Sequence, residues 1–176
     1  MAGVEAEQGQ AGVTQSAALS AEIIALLTAR HHTIAVAESL TGGLLVAELI
    51  RTPGASAVVL GGVVAYNTEL KHTVLGVDAE VLAAHGPVHP DVAAQMAVGV
   101  RAALTVAGEN AHIGISTTGV AGPDPQDGKP VGTVYLGFAI GDEVVDAALA
   151  LTGDRDGIRS AVVSESLIRL HRMLER

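Results

Sequence analysis

The hydrophobic pattern alternates between short apolar runs, which predict strands, and stretches with apolar residues three or four positions apart, which predict helices. The runs that predict strands are "HTIAVAES", "AVVLGGVVAYN", "AHIGISTTG", "VGTVYLGFAI" and "EVVDAALALT". The last two flank Gly141-Asp142 and therefore predict a β-hairpin. The pair Gly61-Gly62 inside the second run indicates a bulge or a close approach of another backbone.

Helical spacing occupies the stretches between these strands. It predicts helices over residues 17–30, 41–50, 90–106 and 154–176, and short helical pieces over 67–85. Strands that alternate with helices, with one hairpin near the end, predict a three-layer α/β/α sandwich with a mixed, mostly parallel sheet. We expect residues 1–16, which are small and polar, to be a disordered tail, and residues 17–176 to form a single domain.

Composition narrows the class of protein. A chain of 176 residues with 49% hydrophobic residues and a mean hydropathy of +0.43 supports one sizeable core, built from aliphatic residues because aromatics are only 2%. The absence of cysteine excludes disulfides, thiolate metal sites and a cysteine nucleophile, and it suits the cytoplasm. A net charge of −9 disfavours non-specific nucleic-acid binding. We find no signal-peptide pattern and no membrane-spanning stretch.

Three predicted strands end in polar residues, and each polar group stops an apolar run. These ends are Glu38-Ser39, Tyr66-Asn67 and Thr117-Thr118-Gly119. In open α/β sheets, ligands bind beyond the carboxyl ends of the strands. The sequence therefore predicts a functional site where these three ends meet.

Ser39 lies at the junction between the first strand and the helix predicted to follow it. Free backbone N–H groups over residues 40–43 can stabilise an oxyanion on an attacked carbonyl or hold a phosphate. Gly42 and Gly43 allow a ligand to approach the backbone closely. The lysine of a P-loop is missing, which argues against a nucleoside triphosphate. The alternative is that Ser39 is only a turn or cap residue.

A nucleophilic serine requires a base. None of the seven histidines has neighbours that indicate a catalytic base. His85 and His89 are four residues apart, but Gly86-Pro87 prevents them from sharing a helical face, so we predict no metal site. His89 is most simply the cap of the helix that follows. Lys71 is the candidate base, as in Ser-Lys hydrolases, where burial lowers the lysine pKa. Its alternative is a solvated helix lysine.

The loop over residues 118–130 is rich in glycine and proline, and it is either a stiff substrate wall or an ordinary connection. Asp154 is predicted to cap the last helix. Arg155, in the first turn of that helix, is poorly placed for the helix dipole. It therefore indicates either an anionic ligand or an ion pair with Asp154 or Asp156.

Four segments in one order carry a resemblance to a known family. They are "AESLTGGLL", "TPGASAVVLGGVVAYNTELK", "TTGVAGPDPQDGKPVGTVYLGF" and "LTGDRDGIR", and together they draw on most of the chain from residue 20 to residue 176. The chain resembles the C-terminal domain family of the competence/damage-inducible protein CinA, in its standalone form. The characterised activity of this family is the deamidation of nicotinamide mononucleotide (NMN), as in PncC-type amidohydrolases.

The resemblance implies an α/β/α fold and a serine amidohydrolase of NAD salvage that needs no metal and no cofactor. It implies that Ser39 is the nucleophile, Lys71 the base, and Tyr66 and Thr118 further catalytic residues. The expected substrate-binding residues are Glu38, Thr41, Gly42, Gly43, Asn67, Gly119, Gly122 and Arg155. NMN is the expected small-molecule partner, and homo-oligomers are expected; nucleic acid and membrane are not.

Two other functions stay open at this point. A regulatory module that holds a nucleotide without cleaving it would use the glycine-rich loops and Arg155, but would not need Ser39 together with Lys71. An amidase for another amide would use the same two residues on a different substrate.

Overall fold

The computed structural model describes the backbone of residues 2–176 and the side chains of residues 15–176. Its elements, in chain order, are α1 (Ala2–Arg30), β1 (Ile34–Glu38), α2 (Leu44–Ile50), β2 (Val59–Val64), α3 (Thr68–Thr73), α4 (Ala79–His85), α5 (Pro90–Ala103), β3 (Ile113–Gly119), β4 (Thr133–Ile140), β5 (Glu143–Ala150) and α6 (Arg155–Leu174). The five predicted strands and the hairpin are confirmed.

The first helix begins at Ala2, inside the segment predicted to be a loose tail. Residue 1 and the side chains of residues 2–14 lie outside the described part of the chain. The tail and its boundary with the domain stay a prediction. Among the described helices, none combines the length and apolarity that crossing a bilayer requires.

The five strands form one sheet in the order β2-β1-β3-β4-β5. Strand β1 is parallel to β2 and to β3, while β4 is antiparallel to both β3 and β5. Four of the five strands therefore run in the same direction, and only β4 is reversed. The carboxyl ends of β2, β1 and β3, where the sequence places its polar groups, lie side by side at one edge of the sheet.

Helices cover both faces of the sheet, as the sandwich prediction requires. Along β1, Ile34 and Val36 join a core with residues of α1, α2 and α6. Ala35 and Ala37 point to the other face and join a core with residues of α5. The five residues of β1 are all buried, which explains why the strand reads as a continuous apolar run rather than an alternating one.

Helix α5 lies unusually close to the sheet because two strand residues beneath it have no side chain. A Cβ at Gly114 would lie 1.9 Å from the carbonyl oxygen of Ala97, and one at Gly137 would lie 2.2 Å from that of Ala93. The Ser116 hydroxyl uses this proximity to donate to the Ala93 carbonyl at 2.6 Å. The helix is thus fixed against β3, whose far end contributes to the site.

The expected irregularity at Gly61-Gly62 is present. The pairing of β1 with β2 moves from Ile34–Val59 to Ala35–Gly61, so one residue of β2 is skipped. Gly62 also lies close to helix α2, because a Cβ there would lie 3.1 Å from the side chain of Val46. The predicted bulge is confirmed, whereas the close neighbour of Gly62 is a side chain and not another backbone.

Candidate active site

The turn that follows β1 carries Ser39 and does not become helical at once. Gly42 and Gly43 adopt φ values of +60° and +101°, which side chains rarely tolerate, so helix α2 begins at Leu44 rather than at the predicted residue 41. We call residues 39–43 the Ser39 turn. Ser39 itself is 8% exposed, and its backbone N–H donates to the Thr117 carbonyl on β3 at 3.0 Å.

The amino end of α2 is occupied by a carboxylate of the protein itself. Glu38, fully buried, accepts hydrogen bonds from the backbone N–H groups of Gly43, Leu45 and Val46 at 2.8–3.1 Å. An external phosphate therefore has no free donors at this helix end. The expectation that all N–H groups over residues 40–43 are free is corrected, because Gly42 also donates, to the Ser39 carbonyl.

Lys71 is buried beside Ser39. It lies on the short helix α3, only 1% exposed, and its Nζ donates to Ser39 Oγ at 3.1 Å and to the Ala65 carbonyl at 2.7 Å. Asn67 caps the same helix by accepting from the Glu69 N–H at 2.9 Å. The alternative of a solvated helix lysine is therefore wrong.

The environment of this amine favours its neutral form. Burial lowers the pKa of Lys71 from its ordinary value of 10.5 to about 8. Both hydrogen-bond acceptors, a hydroxyl and a carbonyl oxygen, are uncharged. Among the described residues, no carboxylate lies within ion-pairing distance of Nζ to oppose this effect. Near neutral pH a useful fraction of Lys71 is thus available as a base.

Ser39 and Lys71 open onto a polar cavity at the carboxyl edge of the sheet. The cavity encloses about 620 Å³, a volume that includes the open solvent at its mouth. Its wall comes from the Ser39 turn, from Tyr66 after β2, from α3, from the segment after α4, from the end of β3 with the loop that follows it, and from the start of α6. The lining residues are Ser39, Leu40, Tyr66, Thr68, Lys71, Pro87, Val88, Thr118, Gly119, Val120, Ala121, Gly122, Asp124, Gln126 and Arg155.

Arg155 connects two walls of this cavity. Its Nη1 donates to the Gly122 carbonyl at 2.6 Å, and its Nη2 donates to the Tyr66 hydroxyl at 3.3 Å. Neither Asp154 nor Asp156 pairs with it: Asp154 accepts from the Gly157 N–H and so caps α6, as predicted. Tyr66 is 63% exposed although it lines the cavity, so its ring is open to a ligand.

Thr118 is buried in the wall, and its hydroxyl donates to the Pro87 carbonyl at 2.7 Å. This bond joins the end of β3 to the segment between α4 and α5. His89, in the same segment, accepts from the Asp91 N–H and caps α5, as the sequence predicts. The long loop after β3 is thus a wall of the cavity and not only a connection.

The structure brings seven of the expected site residues to the cavity and leaves five outside its wall. Those at the cavity are Ser39, Lys71, Tyr66, Thr118, Gly119, Gly122 and Arg155. Those outside are Glu38, Thr41, Gly42, Gly43 and Asn67. These five hold the backbone around the site, Thr41 through a 2.8 Å bond between its hydroxyl and that of Thr117. Substrate contact by any of the twelve stays a prediction.

Some residues of the site were not found from the sequence. Asp124 and Gln126 add polar groups to the cavity wall. Arg159 donates to the backbone carbonyls of Leu40 and Thr41 from behind the Ser39 turn. Its position four residues after Arg155 on one helix was the available signal, because residues four apart share a helical face.

Among the side chains of residues 15–176, no three His, Asp or Glu come together as metal ligands. His85 and His89 stack with ring centroids 4.2 Å apart.

The chain was compared with known proteins. Residues 16–174 match the model of the CinA C-terminal domain. A CinA-like protein of Frankia casuarinae is 49% identical over 156 residues, which cover 89% of this chain and 35% of that protein. A putative competence-damage inducible protein of Geobacillus sp. is 51% identical over 137 residues, 77% of this chain and 32% of that protein. The chain thus spans about a third of the length of these curated relatives.

Solved structures share the fold. The competence/damage inducible protein CihA from Agrobacterium tumefaciens superposes with a TM-score of 0.84 at 33% identity, covering 92% of this chain and 96% of that one. The competence damage-inducible protein A (ComA) from Klebsiella pneumoniae gives a TM-score of 0.85 at 33% identity, with 92% and 98% covered. By sequence and by fold, the chain belongs to the CinA C-terminal domain family.

Proposed function

We propose that this protein is a serine amidohydrolase that converts NMN to nicotinate mononucleotide and ammonia. The observation that carries the proposal is the buried contact of 3.1 Å between Lys71 Nζ and Ser39 Oγ at the floor of the cavity. A lysine whose pKa is lowered to about 8 is a competent base for a serine hydroxyl. The resemblance to PncC-type enzymes supplies the substrate.

The reaction begins with proton transfer from Ser39 Oγ to the neutral amine of Lys71. Oγ attacks the carboxamide carbon of NMN, and the carbonyl oxygen becomes an oxyanion. Two backbone N–H groups of the Ser39 turn, those of Leu40 and Thr41, have no acceptor among the described residues. They are the donors that we assign to this oxyanion: Leu40 belongs to the cavity wall, and Thr41 takes part through its backbone N–H alone, since its hydroxyl is held by Thr117.

Collapse of this intermediate breaks the carbon–nitrogen bond. The amide nitrogen takes the proton held by Lys71 and leaves as ammonia, so that nicotinate mononucleotide is left esterified to Ser39. Lys71, neutral again, takes a proton from water, whose oxygen attacks the ester carbon. The proton then returns to Ser39 Oγ as the carboxylate product leaves. Arg155 holds the phosphate of the substrate with the guanidinium N–H groups that its contacts to Gly122 and Tyr66 leave available.

Ammonia release from NMN by the purified protein tests the proposal, with Ser39→Ala measured beside the wild type. We expect turnover by the wild type and its loss in the variant. If the wild type releases no ammonia but NMN raises its melting temperature, the protein binds a nucleotide without cleaving it. If neither is seen, a panel of other amides decides whether the same two residues act on a different substrate.

A further inference from the structure

Arg159 is the side chain that holds the back of the Ser39 turn. It lies on α6, and its Nε donates to the Leu40 carbonyl at 3.0 Å while its Nη2 donates to the Thr41 carbonyl at 3.2 Å. Nη1 pairs with Asp156 at 3.1 Å. The planar guanidinium thus spans two successive carbonyl oxygens, which a lysine ammonium cannot do with the same geometry.

These two bonds fix the orientation of the peptide groups that follow Ser39. In a trans peptide the C=O and the N–H point in opposite directions. The Leu40 carbonyl belongs to the same peptide as the Thr41 N–H, so a hydrogen bond on one side directs the other away from Arg159. The next peptide is held on both sides, because the Gly42 N–H donates to the Ser39 carbonyl at 3.2 Å.

The other supports of the turn act elsewhere. Glu38 binds N–H groups from Gly43 onward, and Thr41 is held through its side-chain hydroxyl. The carbonyl of Leu40 has Arg159 as its partner from the last helix of the chain, 119 residues away. Loss of this partner would free the Leu40–Thr41 peptide, which carries the Thr41 N–H, to rotate.

We infer that Arg159 is a positioning residue for the oxyanion donors of the Ser39 turn. It does not line the cavity, in contrast to Arg155, which lies one helical turn earlier on the same helix. Arg155 is therefore assigned to ligand binding and Arg159 to the geometry of the reacting centre. The inference rests on the proposed serine chemistry, but it does not require that NMN be the substrate.

The test compares Arg159→Ala with the wild type in ammonia release from NMN. Displacement of an oxyanion donor lowers kcat with little effect on ground-state binding, so we expect kcat to fall about tenfold to a hundredfold while KM stays within about twofold. The kcat of Arg159→Lys, whose side chain can reach only one carbonyl, should lie between that of the wild type and that of Arg159→Ala. If Arg159→Ala does not fold, the kcat of Arg159→Lys decides the test. Arg169→Ala is the matched control, an arginine of the same helix that pairs with Glu165 and not with the Ser39 turn.

Two further readouts separate positioning from a general loss of structure. Ethylguanidine added to Arg159→Ala should restore part of kcat, and should do nothing for Ser39→Ala. The rate of Ser39 acetylation by p-nitrophenyl acetate, corrected with Ser39→Ala, should fall in parallel with kcat, because it needs the same oxyanion donors but not the nucleotide pocket.

Unchanged kcat in Arg159→Ala would overturn the inference, and so would a rise in KM alone, which would make Arg159 a binding residue. If the wild type is acetylated at Ser39 but does not act on NMN, the proposed function fails and the acetylation rate still judges Arg159. A wild type that reacts with neither compound overturns both.

Discussion

Glu38 and Lys71 are both ionisable, and both are buried next to Ser39. Their hydrogen-bond partners, however, are of different kinds. The Glu38 carboxylate accepts three backbone N–H groups, which compensate its charge with hydrogen bonds. The Lys71 amine has a carbonyl and a hydroxyl as partners and no counter-charge. Burial therefore lowers its pKa to about 8.

The contrast shows that two buried ionisable residues at one edge of the sheet have different roles, one in holding the backbone and one in proton transfer. Glu38 faces α2 and ties the Ser39 turn to the helix behind it through three backbone hydrogen bonds. Lys71 faces the cavity, where a group that changes protonation is useful. Burial alone does not tell the two apart; the number and charge of the hydrogen-bond partners do.

The largest expected effect follows removal of the amine. Lys71→Met keeps the length of the side chain but cannot accept a proton, so we expect ammonia release from NMN to fall at least about a thousandfold. Circular dichroism should show that the variant remains folded. Lys129→Met, which changes the other lysine of the chain, is the matched control and should keep wild-type turnover. Full activity in Lys71→Met would remove lysine from the mechanism.

The second effect is the dependence of activity on pH. The base is the neutral amine, so kcat/KM should rise about tenfold per pH unit below the lowered pKa of Lys71 and level off above about 8. From pH 8 to pH 6 the neutral fraction of the amine, and with it kcat/KM, should fall about fiftyfold. A profile that is flat across this range would contradict the role assigned to the amine, and would leave Lys71 as a hydrogen-bond donor only.

The third effect concerns stability. Glu38→Gln replaces one carboxylate oxygen with an NH₂ group that faces backbone donors, and the free energy of unfolding should drop by about 2 kcal/mol. For a domain of this size, Tm should fall by roughly 4–8 °C. Lys71→Met should change Tm less than Glu38→Gln does while it abolishes turnover. If the two variants lose activity and stability in proportion, the separation of roles is wrong.

The smallest effect comes from Asn67, the cap of the helix that carries Lys71. Asn67→Ala removes the bond to the Glu69 N–H and should cost about 1 kcal/mol of stability. Asp78→Ala, which removes the equivalent cap of α4, is the matched control. KM for NMN should be unchanged in both. A rise in KM confined to Asn67→Ala would show that Asn67 contacts the substrate in addition to capping the helix.

The strands, the hairpin and the polar strand ends could be predicted because they depend on local sequence patterns. Apolar runs and turn residues determine the structure of the few residues around them. Helix caps such as His89 and Asp154 likewise bind N–H groups only two or three residues further along the chain. The burial of Lys71 could not be predicted in this way. All of its neighbours in "NTELKHT" except Leu70 are polar, and its amine is held by groups outside α3, the Ser39 hydroxyl and the Ala65 carbonyl.

The hydrogen-bond partners of Glu38 and of Arg159 could not be predicted from the sequence for the same reason. Which N–H groups the carboxylate accepts depends on where α2 begins, and two glycines in left-handed conformations delay that start by three residues. Arg159 meets the Ser39 turn across 119 residues of chain, and its function depends on which carbonyls it reaches. Such contacts are properties of the assembled fold.

The central claim, that Lys71 is a base near neutral pH, can be measured directly. The chain contains two lysines, Lys71 and Lys129, so labelling with [13Cε]-lysine gives two resonances, and Lys129→Arg leaves the one that belongs to Lys71. Titration followed by NMR should place its midpoint at about 8, where the pH profile of activity also inflects. A midpoint near the ordinary value of 10.5 would contradict the account, since the amine would then be protonated throughout the working range.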